Sequence, residues 1–176
     1  KNSEHSFQSP ELDGFWSTEG MKIHHYGCEA GKIDKFEFLS NFKLVRDNLR
    51  VCWVNRGGQY NCCECEKCFR NMLSIYATGN LNKFKTFNKG LNLNKLRKTR
   101  IDKNNLKYFE VVDKYLKQKR ENSKVRVVLE ESIKDYKYPS VEQKIFISIR
   151  NFIRYFDKKY NSSKFYWFLA KRGLIN

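Results

Sequence analysis

The stretch Val51-Cys-Trp-Val-Asn-Arg-Gly-Gly-Gln-Tyr-Asn-Cys-Cys-Glu-Cys-Glu-Lys-Cys-Phe-Arg70 decides how this chain is read. One cysteine, Cys52, precedes a glycine-containing loop. A C-x-x-C-x-x-C run, Cys62, Cys65 and Cys68, then leads into an apolar segment. Zinc holds thiolate sulfurs at roughly 2.3 Å in a tetrahedron, and a C-x-x-C turn is short enough to aim two sulfurs at one ion. Cys65 and Cys68 share a face if a helix starts there. Gly57 and Gly58 can supply the positive φ that returns Cys52 to the knuckle. Cys52, Cys62, Cys65 and Cys68 are therefore the expected ligands of a structural Zn2+, ahead of an iron–sulfur cluster or of buried or disulfide-bonded thiols. Cys63 is either an alternative ligand or a bystander, and Cys28 reads as a small buried apolar residue.

Four thiolates around a divalent ion leave a formal charge of about −2. Arg56, Lys67 and Arg70 lie close enough in sequence to offset it, and a helix opening near Glu64 adds the partial positive charge of its N-terminus.

Working outward, residues 64–78 carry Phe69, Met72, Leu73 and Tyr76 at helical steps, with Gly79 as the stop. Residues 31–42 suit another helix, with Ile33, Phe36 and Leu39 or Phe38 on one side. Residues 21–26 alternate like a short strand, and residues 49–54 form a second candidate strand that delivers Cys52. Asn105 can cap a helix over Leu106, Phe109, Val112 and Leu116. A further helix fits Val125, Val128, Leu129, Ile133 and Tyr136. Ser140 and Gln143 form a capping box ahead of the strongest helical pattern: Ile145, Phe146, Ile149, Phe152, Ile153 and Phe156. A last helix starts near Ser162 or Ser163, buries Phe165, Phe168 and Leu169, and stops at Gly173. These aromatic stripes stand at core spacing and predict helix packing rather than base stacking. The expected fold is mainly α with a small β component, a zinc-stapled loop followed by a helical C-terminal region. It divides into residues 1–80, with the knuckle, and a basic helical region, 81–176.

Composition bounds the function. The chain of 176 residues carries a formal net charge of +16. Residues 81–120 hold 13 Lys and Arg against 3 Asp and Glu. The basic stretch bounded by Lys83 and Arg120 could attract nucleic acid or another polyanion, or serve only as a solvated face. The Trp167-Phe168-Leu169 end of the last helix is a candidate contact for a protein partner. No run is long and apolar enough to cross a bilayer. Clustered cysteines without a secretory signal pattern point to a reducing, cytoplasmic setting. The polar start at Lys1, without an initiating Met, reads as a piece of a longer protein.

Leu49-Arg-Val-Cys-Trp53, the Gly-Gly loop and Asn61-Cys-Cys-Glu-Cys-Glu-Lys-Cys68 together resemble the C-terminal zinc motif of the 7-cyano-7-deazaguanine synthase family and its PP-loop relatives. Trp16-Ser-Thr-Glu19 and His24-His-Tyr-Gly-Cys-Glu29 also resemble such relatives, so the likeness covers roughly residues 15–80. It implies a structural zinc near the substrate end of a Rossmann-like sheet, in enzymes that adenylate a carboxylate with ATP and convert it towards an amide or nitrile. Two departures follow. The family's Gly after the first knuckle cysteine is Cys63 here, so a residue with a Cβ must make the tight turn. No S-G-G-x-D-S is present, and Arg56-Gly-Gly-Gln59 has neither the Ser nor the Asp; nor is there a G-x-x-x-x-G-K-[ST] loop. Either ATP and Mg2+ belong to a nucleotide-binding half outside this chain, or the chain has kept the zinc scaffold and lost the chemistry; in both cases this chain alone is expected to be inactive. The remaining candidates for chemistry are His24, His25 and Glu29. One of these adjacent histidines could pair with Glu29 in acid–base work, or both could be ordinary surface or satisfied histidines.

Overall fold

The computed structural model describes residues 10–54, 58–99 and 101–171. They are mainly helical: α1 (Pro10–Asp13), α2 (Lys32–Leu39), α3 (Lys43–Asn48), α4 (Glu66–Ala77), α5 (Leu93–Arg97), α6 (Leu106–Gln118), α7 (Lys124–Lys137), α8 (Val141–Asn161) and α9 (Lys164–Lys171). Tight 3-10 turns occupy Gly14–Trp16 and Leu81–Lys83.

The expected β component is not realised among the described residues, which contain only an isolated bridge between Thr18 and Met21. Residues 21–26 alternate in sequence, but they have no neighbouring strand to supply ladder hydrogen bonds. Ile23 N–H donates instead to Ser17 Oγ. Residues 49–52 are likewise not a strand; their backbone groups are taken up by the side chain of Asn61. The helix expected over 31–42 breaks after Leu39, where the Ser40 hydroxyl bonds the Phe36 carbonyl, and α3 follows.

Helix α4 is the hub. Phe69, Leu73 and Ala77 face a cluster with Ile33 of α2, Leu96 of α5, Phe109, Val112 and Leu116 of α6, and Val128, Leu129 and Ile133 of α7. Met72 and Ile75 face a second cluster with Phe36, Phe84, Phe87 and five cysteines. A helix apolar on most of its circumference must be enclosed, and here one core lies on each side of it. The first cluster runs across residue 80, so residues on both sides of that position share one core. Gly79, at φ +74, ends α4 in the left-handed conformation that a glycine accepts without Cβ strain.

The capping box of α8 forms as expected, with Ser140 Oγ accepting from Gln143 N–H and Gln143 Oε1 accepting from Ser140 N–H. The core role expected for its stripe does not hold. Ile145, Ile149, Phe152, Ile153 and Phe156 remain between 44 and 64 % exposed. Phe165 and Phe168 of α9 are also exposed, at 46 and 47 %. The reason is local: α8 packs chiefly on α9. Buried Asp157 accepts from Phe165 N–H and Tyr166 N–H, so the hairpin closes on its polar side. Gly173 lies outside the described residues.

Candidate metal centre

The four expected ligands converge. The Sγ atoms of Cys52, Cys62, Cys65 and Cys68 all lie within 4.8 Å of one another, and all four residues are buried. Cys52 and Cys65 sulfurs stand 3.8 Å apart, and those of Cys62 and Cys68 3.9 Å. A disulfide needs about 2.05 Å. Sulfurs placed about 2.3 Å from one ion stand about 3.8 Å apart along the edges of a tetrahedron. The two measured edges match that figure, so the donor set fits a single metal ion.

Two of the four sulfurs are held by local backbone N–H groups. Cys65 is the N-cap of α4, its sulfur accepting from Cys68 N–H at 3.5 Å. Cys62 Sγ accepts from Cys65 N–H at 3.3 Å. These N–H···S contacts place positive dipoles where thiolate charge collects. The tight turn after Cys62 is made despite the missing glycine. Cys63 adopts φ 58, a left-handed conformation that costs a residue with a Cβ about 1–2 kcal/mol. It is no ligand of the quartet; its buried thiol turns to the carbonyl of Asn61. Gly58, at φ +71, returns the chain as expected of the loop, while Arg56 and Gly57 lie outside the described residues.

Sequence reasoning missed Asn61. It is fully buried. Its Oδ1 accepts from Val51 N–H at 2.9 Å and Cys52 N–H at 3.2 Å. Its Nδ2 donates to the carbonyls of Leu49, at 2.8 Å, and Thr86, at 3.4 Å. One side chain thus takes the place of a neighbouring strand and carries Cys52 to the three knuckle cysteines. The available signal was an amide, able to donate and accept at once, placed directly before the first C-x-x-C.

Without an ion the quartet is electrostatically uneven. Hydrogen bonds from Cys65 and Cys68 pull the Cys62 thiol well down. Donating to Cys62 pushes Cys65 up to about 12. Donation to Cys62 and Cys65, together with burial, drives Cys68 up. Negative charge is therefore favoured on Cys62, and protons on Cys65 and Cys68. A divalent ion would displace those protons. Lys67 lies over the Trp53 ring at 3.5 Å, beside the site, and Arg70 pairs with Glu66.

The other candidates are placed elsewhere. His25 Nδ1 meets Asp13 Oδ2 at 2.5 Å, and the His24 ring lies 6.1 Å from that of Tyr26. Glu29 is exposed, and neither histidine nor Glu29 joins the cysteine group. Cys28, expected to be buried, is exposed. In the basic stretch, Lys85 pairs with Asp47, Lys89 and Lys95 with Glu64, Arg97 with Glu131, and Lys117 with Asp113 and Glu130. No described helix is long and apolar enough to cross a membrane.

No family model, curated protein or solved structure matches this chain. The resemblance to deazaguanine synthases therefore stands on the cysteine motif and its flanks.

Proposed function

We propose that the quartet binds one structural Zn2+, and that this chain is the zinc-bearing C-terminal portion of a PP-loop, ATP-dependent protein of the 7-cyano-7-deazaguanine synthase kind. The observation that carries the metal reading is the pair of sulfur–sulfur edges, 3.8 and 3.9 Å, among four buried cysteines; the kinship rests on the cysteine motif and its flanks alone. Four thiolates close the tetrahedral shell and leave no position for water or substrate, which suits a structural rather than a catalytic ion. An all-sulfur shell suits zinc or iron among the available metals. In this reading the ion clamps the loop before Asn61 onto the first turn of α4, and α4 carries that constraint into both cores. The adenylation chemistry belongs to a nucleotide-binding half outside these residues.

A basic nucleic-acid grip is the less supported reading, because among the described residues no built site for a polyanion stands beside the basic side chains, and five of the 13 Lys and Arg in residues 81–120 are engaged in the ion pairs named above.

Two measurements test the proposal. Elemental analysis should find about one zinc per chain; iron in its place removes the zinc assignment. Chelation should release protection from hydrogen exchange first in residues 49–70, while α6 and α7 remain protected by their own cluster. Unchanged exchange in 49–70 removes the structural role. For the kinship, a reading frame with S-G-G-x-D-S ahead of Lys1 supports it, and one opening just before Lys1 removes it.

A further inference from the structure

Helix α8 turns its apolar side to solvent. At 100° per residue, Ile145, Ile149, Phe152, Ile153, Phe156 and Tyr160 fall within about a third of its circumference. Each is between 44 and 69 % exposed. The rings form a continuous run: Phe152 and Phe156 centroids are 4.8 Å apart, and Phe156 and Tyr160 5.4 Å. Three aromatics of ~200 Å² each, a little over half exposed, and three isoleucines exposed to a similar degree leave roughly 600 Å² of apolar surface on this stripe. That is the upper end for the largest patch on a monomer, and it approaches the ~800 Å² per partner of a standard interface.

The charges indicate the occupant. Lys144, Arg150, Arg154 and Lys158 fall on the opposite half of α8, the basic polar face of a helix that can lie on an anionic bilayer, so vesicle binding is the outcome against which the dimer is tested. The charges next to the stripe are segregated by end, with Glu142 in the first turn and Lys159 in the last. A second α8 laid antiparallel sets Glu142 of each copy beside Lys159 of the other. It also opposes the two helix dipoles, and it meets the self-complementarity that a two-fold interface requires. We propose that this chain forms a homodimer through antiparallel pairing of α8, centred on Ile149 and Phe152. The proposal is independent of the metal reading, since the quartet and its supporting residues belong to other segments.

Sedimentation equilibrium of the zinc-loaded full chain, across the micromolar range, tests it. The wild type is expected to be a dimer. Phe152→Glu, at a site 64 % exposed in the protomer and outside both cores, should weaken dimerisation by more than about 30-fold. Glu142→Lys should weaken it less, and Glu142→Lys with Lys159→Glu should restore it. A wild-type chain that stays monomeric at every concentration overturns the proposal, and so does a monomer that binds phosphatidylserine vesicles through this stripe. A dimer indifferent to Phe152→Glu, or a charge reversal that fails to recover affinity, overturns it as well.

Discussion

Replacing Asn61 by Ala tests the idea that one amide holds Cys52 in the metal centre. The substitution strips the acceptor from Val51 N–H and Cys52 N–H and the donor from the Leu49 carbonyl. Cys52 is buried, whereas Val51 and Leu49 are partly reached by solvent. A buried polar group left unpaired costs about 1–3 kcal/mol. Counting Cys52 N–H in full and the other two groups at a discount gives about 2–4 kcal/mol of lost stability. Residues that orient metal ligands typically change affinity by about 10–100-fold when removed, and the same range is expected here because Cys52 must be recaptured from a disordered segment. The assays are a competition titration of zinc against a chromophoric chelator at fixed pH, and urea denaturation with and without the metal. Asn61→Ala should lose affinity and shift the urea midpoint downward in both states, because the hydrogen bonds do not depend on the ion. An unchanged affinity together with an unchanged midpoint refutes the reasoning. Asn61→Asp keeps the acceptor but loses the Nδ2 donor and adds a carboxylate beside the thiolates, so it should not rescue binding.

Two further substitutions probe strain and charge. Cys63→Gly should be close to neutral in a urea titration, since relief of about 1–2 kcal/mol at φ 58 offsets the loss of a small buried side chain. Cys63→Val, which puts a β-branched residue in the left-handed region, should lower the midpoint clearly while the quartet still binds zinc. Lys32 is held down to about 8 from 10.5, mainly by burial and then by the Arg70 charge. Between those values the unfolded chain binds more protons than the folded one, so stability rises with pH across roughly 8 to 10.5. Lys32→Met should remove that rise and stabilise the protein at neutral pH by on the order of 1–2 kcal/mol, after discounting for partial solvent screening. A pH-stability difference curve between variant and wild type that stays flat over this window would count against it.

Local patterns carried far in this protein because their energetics are local. The three- and four-residue apolar steps of α4, α6 and α7, the Ser140–Gln143 box and the C-x-x-C turns each involve groups within one or two helical turns. The sequence by itself therefore determined the mainly helical class and the four cysteines that converge into one donor set. Tertiary structure alone decided three things. Asn61 takes the backbone bonds that a strand partner would have supplied to residues 49–52, which turned that expected strand into irregular chain around a cysteine clamp. Cys63 accepts a left-handed backbone because its neighbours in the knuckle are held on both sides. The fate of the α8 stripe could not be read from its spacing either. An apolar face at core periodicity is the same object whether the covering surface comes from its own chain or from another molecule, and only the packing of α8 against α9 leaves that face turned outward.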